Sequence, residues 1–582
     1  MDNYPIAQVF AEIADLLEIK GENLFKIRAY RTAADTIKAW ADPVARMDDT
    51  QLLDLPGIGK DLAKKIRELA ETGTCRFHQD LLLEFPPTIL DLLRLQGVGP
   101  KTVALLYSAL NIRSVEELVE AAKAGRLREL KGMGPKKEAL ILKAVEEREK
   151  DRGRHLLSDT TAIAAELVAY LREHAPAAEF TPVGSLRRGC ETCGDIDILA
   201  TIDPALAPSG VEGSLMDRFV AFPRVERILG AGDTKSSVRI VGGYQADLRL
   251  VPADSRGAAM QYFTGSKAHN VALRDRAIQH GFKLNEYGLF KVDDDSRVAG
   301  ETEEGIYDAL GMAWVPPELR EHRGEIDAAI ARTLPRLVSQ ADLRGDLHMH
   351  TTVTDGRDDL EDVAAAARRL GYGYIAITDH SKALAMSNGL DETRALEHAA
   401  RIRALNGRFG GLTLLAGIEC DILADGTLDL ADDCLAQLDI VIASVHSHYS
   451  QGEAQTTERI LKALECPWVD VLGHPMSRRL LQREPLQVNF DRIVSAALAK
   501  GVALEINCQP DRLDLSDAFA RSAHERGARI VISTDAHSTL ALGNMRWGVQ
   551  VARRAWLTPD AVLNTRSLDD MRALLRRNRT SA

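Results

Sequence analysis

Seven short apolar segments in the last 240 or so residues constrain the fold most, because each ends in polar residues and is followed by a helix-length pattern. They are 346–351 (DLHMHT), 374–380 (YIAITDH), 412–420 (LTLLAGIEC), 439–448 (DIVIASVHSH), 469–474 (VDVLGH), 502–507 (VALEIN) and 529–537 (RIVISTDAH). Strand followed by helix, repeated, predicts parallel strands. Closing such a sheet gives a βα barrel whose chemistry lies at the C-terminal ends of the strands. Those ends hold His348, His350, Asp355, His380, Glu419, His446, His474, Asp535 and His537. Imidazole and carboxylate donors together suit Zn²⁺, Mn²⁺ or Fe²⁺. A single histidine at an apolar edge is usually a structural residue, but six at successive strand ends call for another explanation. Asp379, Ser447 and His448 lie among these donors and are expected behind them, holding the imidazoles by hydrogen bonds.

A second cluster lies at 183–200, VGSLRRGCETCGDIDILA. Gly184 and Ser185, with Arg187 and Arg188 behind them, read as a phosphate-gripping turn ahead of a strand that carries Asp195 and Asp197. Residues two apart on a strand share a face, so the two carboxylates converge. Adjacent carboxylates repel each other unless a divalent cation neutralises them, and an all-oxygen set points to Mg²⁺ or Mn²⁺. A two-ion centre for displacement at phosphorus needs a further acid, and Asp247 in the strand-like 244–251 is the candidate. Cys190 and Cys193 have metal-like spacing but no second pair, and read as small loop residues.

The first 150 residues contain a repeat: 55–66 (LPGIGKDLAKKI), 95–107 (LQGVGPKTVALLY) and 130–144 (LKGMGPKKEALILKA). Each copy has two glycines, Gly57 and Gly59, Gly97 and Gly99, Gly132 and Gly134, ahead of Lys60, Lys101 and Lys136. A glycine turn at a helix start leaves backbone N–H groups open to an anion, and one such turn is weak evidence where three with lysines are not. The net charge of −12 argues against a broadly basic surface, yet Lys60, Lys64, Lys65 and Arg67, then Arg126, Arg128, Lys131, Lys136 and Lys137, are clustered.

These residues carry a resemblance. The Gly-Ser turn, the Asp-Ile-Asp strand and the later Asp247, followed by 262–266 (YFTGS), Asn270, Arg274 and 285–287 (NEY), are similar to the nucleotidyltransferase palm of family X DNA polymerases, the group that includes polymerase beta. The glycine repeats resemble helix-hairpin-helix units, which grip a DNA backbone without reading bases. The C-terminal pattern resembles the PHP (polymerase and histidinol phosphatase) domain, a phosphoesterase on a distorted seven-stranded barrel with up to three metal ions and all nine ligand positions filled here. The resemblance implies that Gly184, Ser185 and Arg188 bind the triphosphate. It further implies that Tyr262 and Phe263 flank the sugar beside Gly265, and that Asn270 and Arg274 sit beside the nascent pair. It places Lys65 where the Schiff-base lysine of a lyase domain stands, with Lys26, Tyr30 and Lys60 near a 5′-phosphate pocket.

The expected architecture is multidomain: a helical lyase-like region at 1–80, a helix-hairpin-helix region at 81–151, an α+β palm at 152–250, a thumb-like segment at 251–320, a linker at 321–340 and the barrel at 341–582. The expected partners are gapped or primer-template DNA and deoxynucleoside triphosphates. The expected activities are gap-filling synthesis and 3′ to 5′ exonuclease action, with processing of abasic sites or 3′-phosphates as further barrel chemistry. The amphipathic start and the lack of a run of about 18 apolar residues lead to the expectation of a cytoplasmic monomer with no membrane contact. One rival is a nucleotidyltransferase fused to a small-molecule phosphatase such as histidinol phosphatase. Another is a DNA-binding scaffold with inert sites.

Overall fold

The computed structural model describes residues 3–39, 44–86, 88–93, 95, 98–130, 132–135, 137–142, 145, 153–202, 211–384 and 387–575. It divides into two compact units, 1–152 and 153–582. Among the described residues no helix is long and apolar enough to cross a membrane.

The first unit is helical and includes α1 (Asn3–Lys20), α2 (Leu24–Ala39), α3 (Lys60–Thr72) and α4 (Pro100–Leu110) around one apolar core. Its repeat is visible as one turn used three times. The amides of Ile58, Val98 and Met133 each donate to the carbonyl three residues back, on Leu55, Leu95 and Leu130, at 3.0 Å in every case. The apolar residue of each turn is buried, and the described glycines at 57, 59, 99, 132 and 134 are exposed.

The second unit opens with α5 (Leu157–His174) packed on a five-stranded sheet. Its strands are β1 (Ala178–Pro182), β2 (Asp195–Ile202), β3 (Val225–Ala231), β4 (Lys235–Ile240) and β5 (Tyr244–Pro252), in the order β1-β2-β5-β4-β3. Only the central β2–β5 pair is parallel. Helices α6 (Arg256–Thr264) and α7 (Lys267–Gln279), a three-stranded sheet of β6 (Phe282–Asn285), β7 (Gly288–Lys291) and β8 (Arg297–Ala299), and α8 (Glu303–Ala309) build a smaller thumb-like body with its own core.

Residues 321–340, expected to be a linker, are anchored at a few buried positions, with most of the rest exposed or half-exposed. Glu325 and Ala329 are fully buried against this body, and Val338 joins the main core. The reason is electrostatic as much as apolar: buried His269 holds Glu325 at 2.7 Å and the Tyr307 hydroxyl at 2.9 Å.

The seven apolar segments form seven parallel strands in sequential order: β9 (Gly345–Asp346), β10 (Tyr374–Ile377), β11 (Thr413–Asp421), β12 (Ile440–Ser444), β13 (Val471–Leu472), β14 (Ala503–Asn507) and β15 (Ile530–Ser533). A parallel bridge between Met349 and Ala536 brings the first and last together, so the sheet closes almost completely. Alternation along each strand divides the apolar load: Tyr374, Ala376, Ile440, Ile442 and Val531 share one cluster, and Ile375, Ile377, Val441 and Ala443 join the cluster made with the outer helices.

The barrel is joined to the palm and thumb by buried ion pairs. Glu191 accepts both guanidinium nitrogens of Arg478, at 2.8 and 2.9 Å. From the helix α9 (Met545–Arg554), Arg554 reaches Glu321 at 2.9 Å and Asp517 at 2.9 Å. In the thumb, Glu303 lies between Arg187 and fully buried Arg320, at 2.7 Å from each. Burial alone raises a carboxyl's pKa, but hydrogen bonds and charge from these two arginines outweigh it and hold Glu303 at about 2. Glu303→Gln leaves both cations underpaired and is expected to cost about 3–5 kcal/mol at neutral pH. Because the folded pKa is depressed, the parent's advantage exists above the ordinary value of 4.5 and fades as pH falls toward about 2. Denaturant titrations of both proteins at several pH values check this, and a gap that does not depend on pH contradicts it.

Candidate functional site

The parallel register sets Asp197 of β2 directly beside Asp247 of β5, with Asp195 two residues earlier on the same face. One oxygen from each of the three lies within 4.8 Å of the others. Burial, then the charges of Asp195 and Asp247, push the Asp197 carboxyl up to about 7. Asp247 Oδ1 is buried without a hydrogen-bond partner. Three converging carboxylates, one with an orphaned oxygen, form a donor set suited to hard divalent cations. Gly184 begins the one-turn helix Gly184–Arg187 against this face with φ +64°, and a Cβ on it would stand 2.4 Å from Asp197 Oδ2. Only glycine lets that turn approach the acids so closely.

The expected nucleotide-binding residues fall around this face unequally. Tyr262 and Phe263 meet edge to face with ring centres 5.1 Å apart, and Asn270 donates to the Tyr262 carbonyl at 2.7 Å. Ser185 is half-buried at the turn, and Gly265 follows α6 with Arg188 Nη1 3.2 Å from where its Cβ would be. Arg274 is exposed one turn beyond Asn270 on α7. The two arginines of the turn are already engaged. Arg187 clamps Glu303, so it braces the thumb and does not reach toward a phosphate. Arg188 pairs with Glu321 at 3.0 Å and donates to the Thr264 carbonyl.

In the first unit, Lys65 Nζ lies 5.2 Å from the Phe77 ring centre and 5.9 Å from that of Tyr30, with Lys26 Nζ 5.2 Å from Phe77. Lys65 is ion-paired with Asp61 at 2.5 Å, a partner an attacking amine must leave. Lys60 and Lys101 are exposed at the starts of their helices. A Cβ on Gly59, Gly99, Gly132 or Gly134 would meet nothing within 4 Å, so packing does not demand these glycines, and space remains in front of the helix starts. Gly97, Lys131 and Lys136 lie outside the described residues. Arg128, counted in the basic cluster, is instead bound to buried Glu138 at 2.6 and 2.9 Å.

The barrel brings all nine expected donors to one rim. Three overlapping groups, His350–Asp355–His380–His537, His348–His350–Asp535 and His380–Glu419–His446, each gather within 4.8 Å. His474 joins through Glu419 at 2.9 Å. Glu419, Asp535, His348, His350, His380 and His474 are all at most 5 % exposed. His348 Nε2, His350 Nδ1 and His474 Nδ1 are buried with no hydrogen-bond partner, which suits nitrogens that would bind a cation. Burial together with the charges of His537 and His380 lowers His350 to about 4, which favours the neutral ligating form.

The residues behind the donors differ from those expected. Asp379 holds Thr351 and His398, and neither is among the nine donors; Ser447 and His448 are exposed. The support comes from Glu505, which accepts from His348 Nδ1 at 2.7 Å and from the His474 amide at 2.7 Å, and from Asp421, hydrogen-bonded to His446 Nδ1. Asn507 Nδ2 holds Asp535 at 3.0 Å. Strand β14 contributes no ligand and two of these supports. Its polar strand end was the available signal, since Glu505 and Asn507 stand where other strands carry donors.

Binding of Mn²⁺ to the palm triad, measured by calorimetry in a His348→Ala/His350→Ala background, is expected to weaken about tenfold per pH unit below 7, because the ion displaces the Asp197 proton. An affinity that is flat between about pH 5.5 and 8 contradicts this. Glu505→Gln is expected to lower the ring's metal affinity by about 10–100-fold, read as metal retained after dialysis.

Comparison with known proteins follows the same division. Family models match as a helix-hairpin-helix domain at 1–75, a SAM-like helix-hairpin-helix tandem at 89–147, a DNA polymerase beta palm at 158–231, a DNA polymerase beta thumb at 259–321 and a PHP domain at 346–509. Asp247, Asp535 and His537 lie outside these matched ranges, and it is the structure that joins them to their partners. The chain is 36 % identical over 581 residues to the DNA polymerase/3′-5′ exonuclease PolX of Bacillus subtilis (strain 168), covering 99 % of this chain and 100 % of that one. It is 28 % identical over 229 residues to a probable phosphatase of Thermoanaerobacter sp. (strain X514), covering 38 % of this chain and 85 % of that one. A probable phosphatase of Shewanella sp. (strain MR-4) is 29 % identical over 229 residues, covering 38 % and 86 %. With a relative that matches over the full length, and palm, thumb and PHP models matched in turn along it, the chain belongs to the bacterial family X DNA polymerases, in which a polymerase-beta-like core is followed by a C-terminal PHP domain.

Proposed function

We propose that this protein fills gaps in DNA, adding deoxynucleotides to a primer 3′ end at the palm and removing them from a 3′ end at the barrel. The observation that carries the reading is two separate donor sets in one chain, an all-carboxylate triad and a histidine-rich ring, each with orphaned ligand atoms. Divalent ions, Mg²⁺ or Mn²⁺ at the triad and Mn²⁺, Zn²⁺ or Fe²⁺ at the ring, supply charge neutralisation at phosphorus and activation of an oxygen nucleophile when bound.

The chain's own residues do the rest. Asp195 and Asp197 would hold ions from one strand, and Asp247 would complete the set for the ion that acts on the primer hydroxyl. Gly184 and Ser185 offer backbone and hydroxyl donors to the triphosphate at the short helix start. Arg188 reaches a phosphate by leaving Glu321, so closing the site exchanges one anionic partner for another. Tyr262 and Phe263 present a shaped apolar edge to the sugar, with Gly265, Asn270 and Arg274 beside the new pair. The open glycine turns of the first unit, with Lys60 and Lys101, take backbone phosphates; Lys26 adds a cation for a 5′-phosphate, buried Tyr30 packs beside Lys65, and Lys65 is the candidate lyase amine. In the barrel the nine donors hold the ions while Glu505 and Asp421 fix the His348 and His446 tautomers, so that the ring nitrogens facing the ions are unprotonated.

Asp247→Ala is expected to abolish primer extension on a gapped duplex while leaving 3′ degradation, and His348→Ala/His350→Ala the reverse, both scored on one gel. Loss of both activities in either variant would show that the centres do not act independently. A second reading rests on the barrel's likeness to probable phosphatases: hydrolysis of a small phosphomonoester. Turnover of such an ester with no loss of nucleotides from a DNA 3′ end decides for it.

A further inference from the structure

Behind β14 the chain makes a tight loop at the same rim as the metal-ligand set. Asn507 and Asp514 bridge antiparallel across its base, and the Arg512 amide donates to the Gln509 carbonyl at 2.8 Å. Two side chains pin the loop to a ligand: Asn507 Nδ2 donates to Asp535 Oδ2 at 3.0 Å, and Gln509 Nε2 to the Asp535 carbonyl. The acids beside Arg512 already have partners. Asp511 pairs with Arg479, and Asp514 accepts the amides of Met476 and Arg478 at 3.1 and 3.4 Å.

Arg512 itself is half-buried, and among the described residues its guanidinium has neither a hydrogen-bond nor an ion-pair partner. Burial works against the Arg512 charge, and the carboxylates of two ligands, Asp535 and Glu419, with those of Asp511 and Asp514, favour it. His474 also feels its charge, after burial. No described carboxylate comes within 4.0 Å of it. The geometry is therefore a partly buried guanidinium without a partner, on a loop that Asn507 and Gln509 pin to the ligand Asp535. Such a group costs free energy to keep dry unless an anion completes it.

We propose that Arg512 is the phosphate-binding residue of the barrel site, its planar fork taking the non-bridging oxygens of the scissile phosphodiester or of the phosphate released from a 3′ end. The proposal rests on reading the barrel as a phosphoesterase. It adds a substrate contact to a centre so far described only by its ligands. Arginine suits the task because its donors match two phosphate oxygens at once. Lysine can replace the charge but not the fork, which makes Arg512→Lys the informative companion to Arg512→Ala.

The test uses the full-length Mn²⁺-loaded protein and two readouts. Inorganic phosphate is titrated by calorimetry, and KM and kcat are measured for 3′ degradation of a single-stranded oligonucleotide, with bound metal counted in each variant. Arg512→Ala is expected to weaken phosphate by about tenfold or more and to raise KM by a similar factor, with the metal count unchanged and Arg512→Lys intermediate. Added guanidinium ion is expected to restore part of the lost affinity in Arg512→Ala. Unchanged phosphate affinity in Arg512→Ala overturns the proposal, and so does loss of metal in both variants, which would make Arg512 a brace for the ring. If the parent protein binds phosphate but leaves DNA intact, the exonuclease reading fails, and the phosphate titration still decides the role of Arg512.

Discussion

Parallel strand pairing is the constraint on which both candidate centres depend. In the palm it sets Asp197 level with Asp247, two residues far apart in the chain, and makes their repulsion unavoidable in the absence of a cation. In the barrel it sends seven strand ends to one rim, so donors from six separate segments meet although each segment carries only one or two. The chemistry available in each half is therefore a property of strand direction before it is a property of any side chain.

The two halves are also bonded to each other by charge. Glu321, on the segment after the thumb, receives Arg188 from the palm turn and Arg554 from the barrel's helix α9, and Arg554 donates to the Arg188 carbonyl at 3.0 Å as well. Glu191 and Arg478 make a second such bond beside it. Buried pairs of this kind add little net stability over apolar packing, yet removing one partner leaves a stranded charge. Their value lies in specifying one arrangement of palm and barrel over others.

Much of this was legible in the residues. The Asp-Ile-Asp strand, the glycine repeats and the histidines at successive strand ends each have a short-range pattern that physics ties to a role, and Asp195, Asp197 and the nine rim donors stand where that pattern puts them. What was not legible depends on long-range pairing. Nothing near Arg187 announces that Glu303 will claim it, and nothing near Glu505 announces His348, 157 residues away. The same holds for 321–340, whose helical spacing reads as a connector until His269 is found waiting for Glu325. Charged residues in particular mislead, because a basic cluster in sequence can be divided in space between solvent and a buried acid, as at Arg128.

The contact from Arg554 has a temporal side. Helix α9 is contributed by residues 545–554, so a chain leaving the ribosome has made its palm turn 366 residues before the arginine that braces it emerges. Until then the Arg188 carbonyl lacks this donor, and Glu321 has Arg188 without Arg554 as its cation. The loop that begins the polymerase site thus takes its last hydrogen bond from a residue of the nuclease half, and a chain cut before that residue has a palm turn with one donor fewer.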